Sequence, residues 1–111
     1  MNPIALYITA SNREEAMLIC RDLLQEHLIG CANITDGASS LYWWQGEIEQ
    51  SHEAVIIAKS AAHLMPAITQ KVKSLHSYSC PCVIAMPIVE GNPEFLQWLE
   101  SQLASAQTPT H

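Results

Sequence analysis

Basic residues are scarce in this chain. Lys and Arg together number 5 among 111 residues, against 11 Asp and Glu, for a formal charge of −6. They form no run, so the basic footprint of a nucleic-acid binder is missing. All charged residues amount to 14%, where about 25% is usual. No apolar run approaches the roughly 20 residues of a membrane span. The first residues, "MNPIALYITASNREE", lack a basic segment and an apolar stretch with a cleavage site. A cytoplasmic protein is therefore expected, in which thiols stay reduced. Its 4 cysteines then read as core thiols or ligands rather than disulfides. A Gly-rich phosphate loop is absent, as is the C-x-x-C spacing of thiol oxidoreductases. No two of the five histidines stand at the i,i+4 spacing of a helical zinc site.

What is abundant is apolar side chain. Hydrophobic residues make up 49% of the sequence. A chain of this length forms one domain, and a domain this small cannot bury so much by itself. The surplus points to a ligand pocket or a subunit interface, with an oligomer as the default.

"PIALYITA" (3–10) reads as a strand. The helix after it has capping-box spacing at Ser11 and Glu14, a stripe from Ala16 to Leu28 that includes Cys20, and Gly30 to close it. Residues 31–46 look extended, with a bend or bulge at Asp36–Gly37 and a hairpin tip at Gln45–Gly46. The return strand ends in the apolar run Ala54–Ala58. Both strands exceed the usual length and should project as an arm. Trp43 and Trp44 should face opposite sides of it, so at least one packs on a neighbour. A second helix carries Leu64, Ile68, Val72 and Leu75, with Pro66 in its first turn. "CVIAMPIV" (82–89) reads as a buried-type strand, and Asn92 should cap a third helix with the stripe Phe95, Leu96, Leu99, Leu103. The order β-α-β-β-α-β, then α, predicts an α+β ferredoxin-like sandwich with an antiparallel sheet. The domain is expected over residues 1–104, with 105–111 as a flexible tail. The same topology serves RNA binding, but acidity and the missing aromatic signature argue against it.

"HSYSCPC" (76–82) gathers a histidine, a tyrosine and two cysteines. It can be a metal clip, a redox site or a sulfur-rich strand entry. His76 is a ligand candidate or a cap on the second helix. Tyr78 anchors the turn or lines a pocket. Cys80 and Cys82 flank Pro81 and favour soft metals, Cu(I) or Zn. Lys59 is a binding residue or an ordinary strand-end charge. Cys31 opens a strand as a buried thiol or a pocket thiol. His27, His52, His63 and His111 are scattered and read as surface residues.

Taken together, these segments resemble the CutA divalent-cation tolerance family. "CANI" (31–34) fits its C-x-N pattern. "SLYWWQGEIEQ" (40–50) is similar to its S-x-Y-x-W-x-G hairpin and carries Tyr42, Trp44 and Gly46. Lys59, His76, Tyr78, Pro81 and Trp98 fall on matching positions, and the match runs from about Ile4 to Leu103. The resemblance implies a PII-like trimer without turnover and a role in metal tolerance, with copper or another divalent metal as the ion. With the residues read above, the expected metal set is His76, Cys80, Cys82 and Cys31, and the expected pocket residues are Lys59, Tyr78 and Trp44. The expected trimer interface has Tyr42, Trp43 and Trp44. Ser77, Ser79 and Cys82 stand where the family pattern has Pro, Glu and Glu, which moves the donor set from oxygen toward sulfur. The alternatives are a PII-like small-molecule module and a thiol oxidoreductase. Tolerance could also act through a downstream protein partner.

Overall fold

The computed structural model describes residues 1–105. The expected tail lies almost wholly outside the described residues, as does His111. The elements are β1 (Pro3–Ala10), α1 (Arg13–Gln25), β2 (Cys31–Trp44), β3 (Glu47–Ala61), a 3-10 turn (Ala62–Leu64), α2 (Met65–Leu75), β4 (Val83–Pro87) and α3 (Pro93–Gln102). One sheet has the order β2-β3-β1-β4 with every pairing antiparallel. This is the α+β ferredoxin-like arrangement that the element order predicts.

One face of the sheet meets the helices. Strand alternation sends Leu6, Ile8 and Ala10 of β1 and Ala54, Ile56 and Ala58 of β3 to that side, where all are fully buried. Ile19 and Leu23 of α1 and Ile68 and Val72 of α2 close over them. Cys20 sits in this layer, and burial pushes its thiol up to about 11. It is a packing thiol, as its place on the helical stripe suggests. The opposite face carries Tyr7, Thr9, Glu53, Ile84 and Met86, and α1 and α2 leave it uncovered.

Local details correct several expectations. The cap of α1 is Asn12, one residue past Ser11: its Oδ1 accepts from the Glu15 N–H at 2.8 Å. Glu15, not Glu14, reaches back, accepting from Ser11 N–H and Oγ, both at 2.9 Å. The helix stops at Gln25 with Glu26 as its C-cap, and His27 takes φ 58°. Gly30 closes nothing; its N–H donates to the Lys59 carbonyl at 2.9 Å and Leu99 packs on it. Pro66 does lie in the first turn of α2. Asn92 stands at the N-cap of α3, but its side chain makes no capping bond. β4 is an edge strand with Ile84 and Met86 exposed, not a buried one. Its apolar run serves the uncovered face.

The β2–β3 ribbon is 14 and 15 residues long. A bulge at Asp36–Gly37 shifts the register: Thr35 pairs with Val55, then Ala38 with Glu53. Gly37 takes φ 77°, the left-handed residue such a bulge needs. The tip, Gln45–Gly46, has φ 51° and 82°, the two positive values of a type I′ turn. Beyond the bulge the ribbon leaves the core. The radius of gyration, 14.9 Å, exceeds the about 13 Å of a compact domain this size.

Candidate functional site

A cleft of ≈ 800 Å³ opens where the arm rises from the uncovered face. β1 lends Tyr7 and Thr9, β3 lends Glu53, and β2 lends Ser40, Tyr42 and Trp44. The segment between α2 and β4 supplies Tyr78, Cys80 and Cys82.

His76 anchors that segment. Its side chain is fully buried, and its backbone N–H closes α2 on Val72 at 2.9 Å. Ring Nε2 meets the Thr9 carbonyl at 2.7 Å, and the Tyr78 N–H reaches Nδ1 at 3.0 Å. An N–H donating to Nδ1 requires a bare Nδ1, so the hydrogen sits on Nε2 and goes to Thr9. Both nitrogens are engaged. His76 is the C-cap residue of α2 through its backbone, while its ring ties β1 to the turn at Tyr78 instead of reaching the last turn of the helix.

Glu15 holds the same segment from the other side. Its carboxylate accepts the Ser77 N–H at 2.8 Å besides its bonds to Ser11. Burial opposes its charge, but these hydrogen bonds prevail and hold the carboxyl down at about 2. The turn is thus fixed to α1 and β1 before it reaches the cleft. There the Tyr78 hydroxyl donates to Glu53 Oε2 at 2.9 Å. Burial first, and then this carboxylate, push the phenol up to about 12. Burial, with the charge of Glu53 and of Cys80, also raises the Cys82 thiol. A raised thiol is a poor nucleophile at neutral pH, which weighs against thiol redox chemistry.

The cleft therefore unites Cys80, Cys82, Tyr78, Tyr42 and Trp44. It does not include Cys31 and Lys59. These pair across β2 and β3, six residues from Glu53 and so roughly 20 Å along the strand. The Lys59 ammonium donates to Asn33 Oδ1 at 3.3 Å. Within one chain the four expected ligands do not converge. Among the described residues, no three His, Cys, Asp or Glu side chains are grouped to hold an ion. Trp43 is opposite Ile48, on the reverse side of the arm from Trp44 opposite Glu47. His27 and His63 are exposed, as expected, and their rings meet the carbonyls of Gln102 and Ala104 at 2.8 and 3.0 Å.

Two residues of this site escape the sequence reading. Glu53 is a buried carboxylate directly before the apolar run of β3, and that break in polarity was its only signal. Glu15 reads as a routine helix-start acid until Ser77 is brought to it.

A family model described as CutA1 divalent ion tolerance protein matches residues 4–102. The chain belongs to the CutA1 family. It is 41% identical over 92 residues to the divalent-cation tolerance protein CutA of Thermus thermophilus, covering 83% of this chain and 89% of that one. It is 38% identical over 98 residues to a chloroplastic CutA protein of Oryza sativa, covering 88% of this chain. It spans 55% of that relative's length, about half. A solved CutA1 structure from Oryza sativa superposes with a TM-score of 0.91 at 36% identity, covering 94% of this chain and 95% of that one. The fold and the CutA1 type of the protein are thus established together. Among the described residues, no helix is long and apolar enough to cross a membrane.

Proposed function

We propose that this CutA-type divalent-cation tolerance protein works as a homotrimeric metal-binding and metal-response module without turnover, with copper as its first candidate ion, in the cytoplasm. One observation carries the reading: the cleft with its sulfur donors opens on an uncovered sheet face beside a protruding apolar arm. Three copies would cover these faces and arms with one another. Tyr42, Trp43 and Trp44 would then lie at subunit contacts, while Cys31 and Lys59 stay outside the cleft of their own chain. A downstream protein could read the metal-bound state.

The test pairs static light scattering with calorimetric titration of Cu(II) and Zn(II). A trimer at micromolar concentration that takes up metal supports the reading. A monomer overturns it. The volume of the cleft and its aromatic wall favour a second reading, a PII-like module for a small organic ligand. Ligand uptake by metal-free protein, unchanged on adding metal, would favour that alternative.

A further inference from the structure

Cys80 and Cys82 flank Pro81 at the entrance to β4, and both border the cleft. Cys80 is exposed, while Cys82 is partly covered. One thiol thus meets solvent and the other stands further in, as an ion entering from water requires. Pro81 holds Cys80 in extended backbone and withdraws a donor from the segment. The anchors at His76 and Glu15 fix the chain just before it. The pair is presented on a held segment rather than a loose loop.

The number of donors selects the class of ion. A structural zinc site closes with four ligands. Here His76 has both ring nitrogens engaged, and Cys31 lies outside the cleft. The Tyr78 hydroxyl holds Oε2 of Glu53, and a carboxylate oxygen is a hard donor that suits Mg, Ca or Mn better than a soft ion. Two soft thiolates remain. Thiolates select soft ions over Mg, Ca or Mn, and a filled-shell monovalent ion is satisfied by two such donors in line.

We propose that Cys80 and Cys82 form a two-thiolate site for a soft monovalent cation of the Cu(I) and Ag(I) class. The inference rests on the metal-binding reading above, and it names the oxidation state and the ligands. Binding involves no electron transfer. Two S–H bonds break, two metal–sulfur bonds form, two protons leave to water, and the bound unit carries one negative charge. Since two protons leave per ion, affinity should climb by up to about 100-fold per pH unit.

The test is an anaerobic titration of the reduced full chain with Cu(I) against a chromophoric chelator, bicinchoninate. One Cu(I) per chain is expected. Cys80→Ser and Cys82→Ser should each lose more than about 100-fold in affinity, beyond the loss typical of an outer-shell partner. Cys31→Ser should keep wild-type affinity, and circular dichroism should find all three folded. X-ray absorption of the wild-type complex gives a readout that needs no variant: two sulfur neighbours on copper. Wild-type affinity in the Cys80→Ser/Cys82→Ser double variant would overturn the inference, as would nitrogen or a third sulfur in the copper shell. A trimer that binds Cu(II) or Zn(II) but no Cu(I) at this pair overturns it and leaves the metal-binding reading intact. A monomer overturns that reading instead.

Discussion

The two ends of the β2–β3 ribbon share one ladder of pairings and live in different surroundings. At the base, Ala54, Ile56 and Ala58 are fully buried under α1 and α2. Past the bulge, Leu41 is 71% exposed, Trp43 73%, Trp44 50% and Ile48 66%. Both ends are rich in apolar side chain, but only the base has a second layer. Ladder hydrogen bonds alone are worth little net in water, and an isolated two-stranded ribbon is marginal. The apolar residues of the arm thus do nothing for the single chain. They gain a physical purpose once another surface covers them.

The sharpest contrast comes from truncating each end. Ile56→Ala should destabilise the fold by about 2–5 kcal/mol, the usual loss for a fully buried aliphatic side chain. Urea denaturation checks it. Leu41→Ala should leave the unfolding of a dissociated chain within about 0.5 kcal/mol of wild type. A comparable loss at both positions would mean that the arm is already packed within one chain.

Assembly should reverse the ranking. Trp44→Ala should weaken subunit association by about 2 kcal/mol, a roughly 30-fold rise in dissociation constant, as aromatic anchors do. Trp98→Ala should weaken it less. Trp98 is on α3 and already packs against Phe95, ring centroids 5.5 Å apart. Sedimentation over a dilution series compares the two. A Trp44 variant that stays assembled while the Trp98 variant dissociates would exchange their roles.

The junction between helix layer and cleft answers to acid. Glu15 keeps a pKa of about 2 against its ordinary 4.5, so the folded chain binds its proton less readily than the unfolded one. Its contribution is complete above pH about 4.5 and is lost as pH falls through about 2. Glu15→Gln removes this dependence. The stability gap between wild type and variant should therefore narrow as pH drops across that window. A constant gap would show that the Ser11 and Ser77 bonds do not govern the titration.

These contrasts also explain how much was legible beforehand. Long periodic elements announce themselves, because the alternation at Leu6, Ile8 and Ala10 and the stripe from Ala16 to Leu23 are local patterns. The Gln45–Gly46 tip and the Asp36–Gly37 bulge were legible from turn chemistry. The burial of β4 was not, because an apolar edge strand and a central one read alike; what differs is the layer above them. Capping at Asn12 rather than Ser11 turned on one residue of register, which only the carboxylate of Glu15 resolves. At the site, "HSYSCPC" stands out by composition alone, yet the work of His76 depends on Thr9, 67 positions away in the chain. Glu53 was missed for the same reason: its partner, Tyr78, arrives from a different part of the sequence.

The smallest effect separates base from arm most finely. Gly46 takes φ 82° at the tip, and a Cβ there would meet no atom within 4 Å. Gly46→Ala therefore carries only the strain of a left-handed backbone, about 1 kcal/mol. Gly37, at φ 77° and equally open, carries the same strain where the ribbon enters the core. The two substitutions are chemically identical and differ only in what their neighbourhood holds. If the arm opens by itself in the dissociated chain, Gly46→Ala should speed amide exchange in residues 40–51 and leave Ala54–Ala61 unchanged. Gly37→Ala should speed exchange on both sides of the bulge. Assembly should then suppress the Gly46 effect, because a covered arm no longer opens alone. Equal exchange profiles for the two variants would mean that base and arm unfold as one unit, and that the bulge does not divide them.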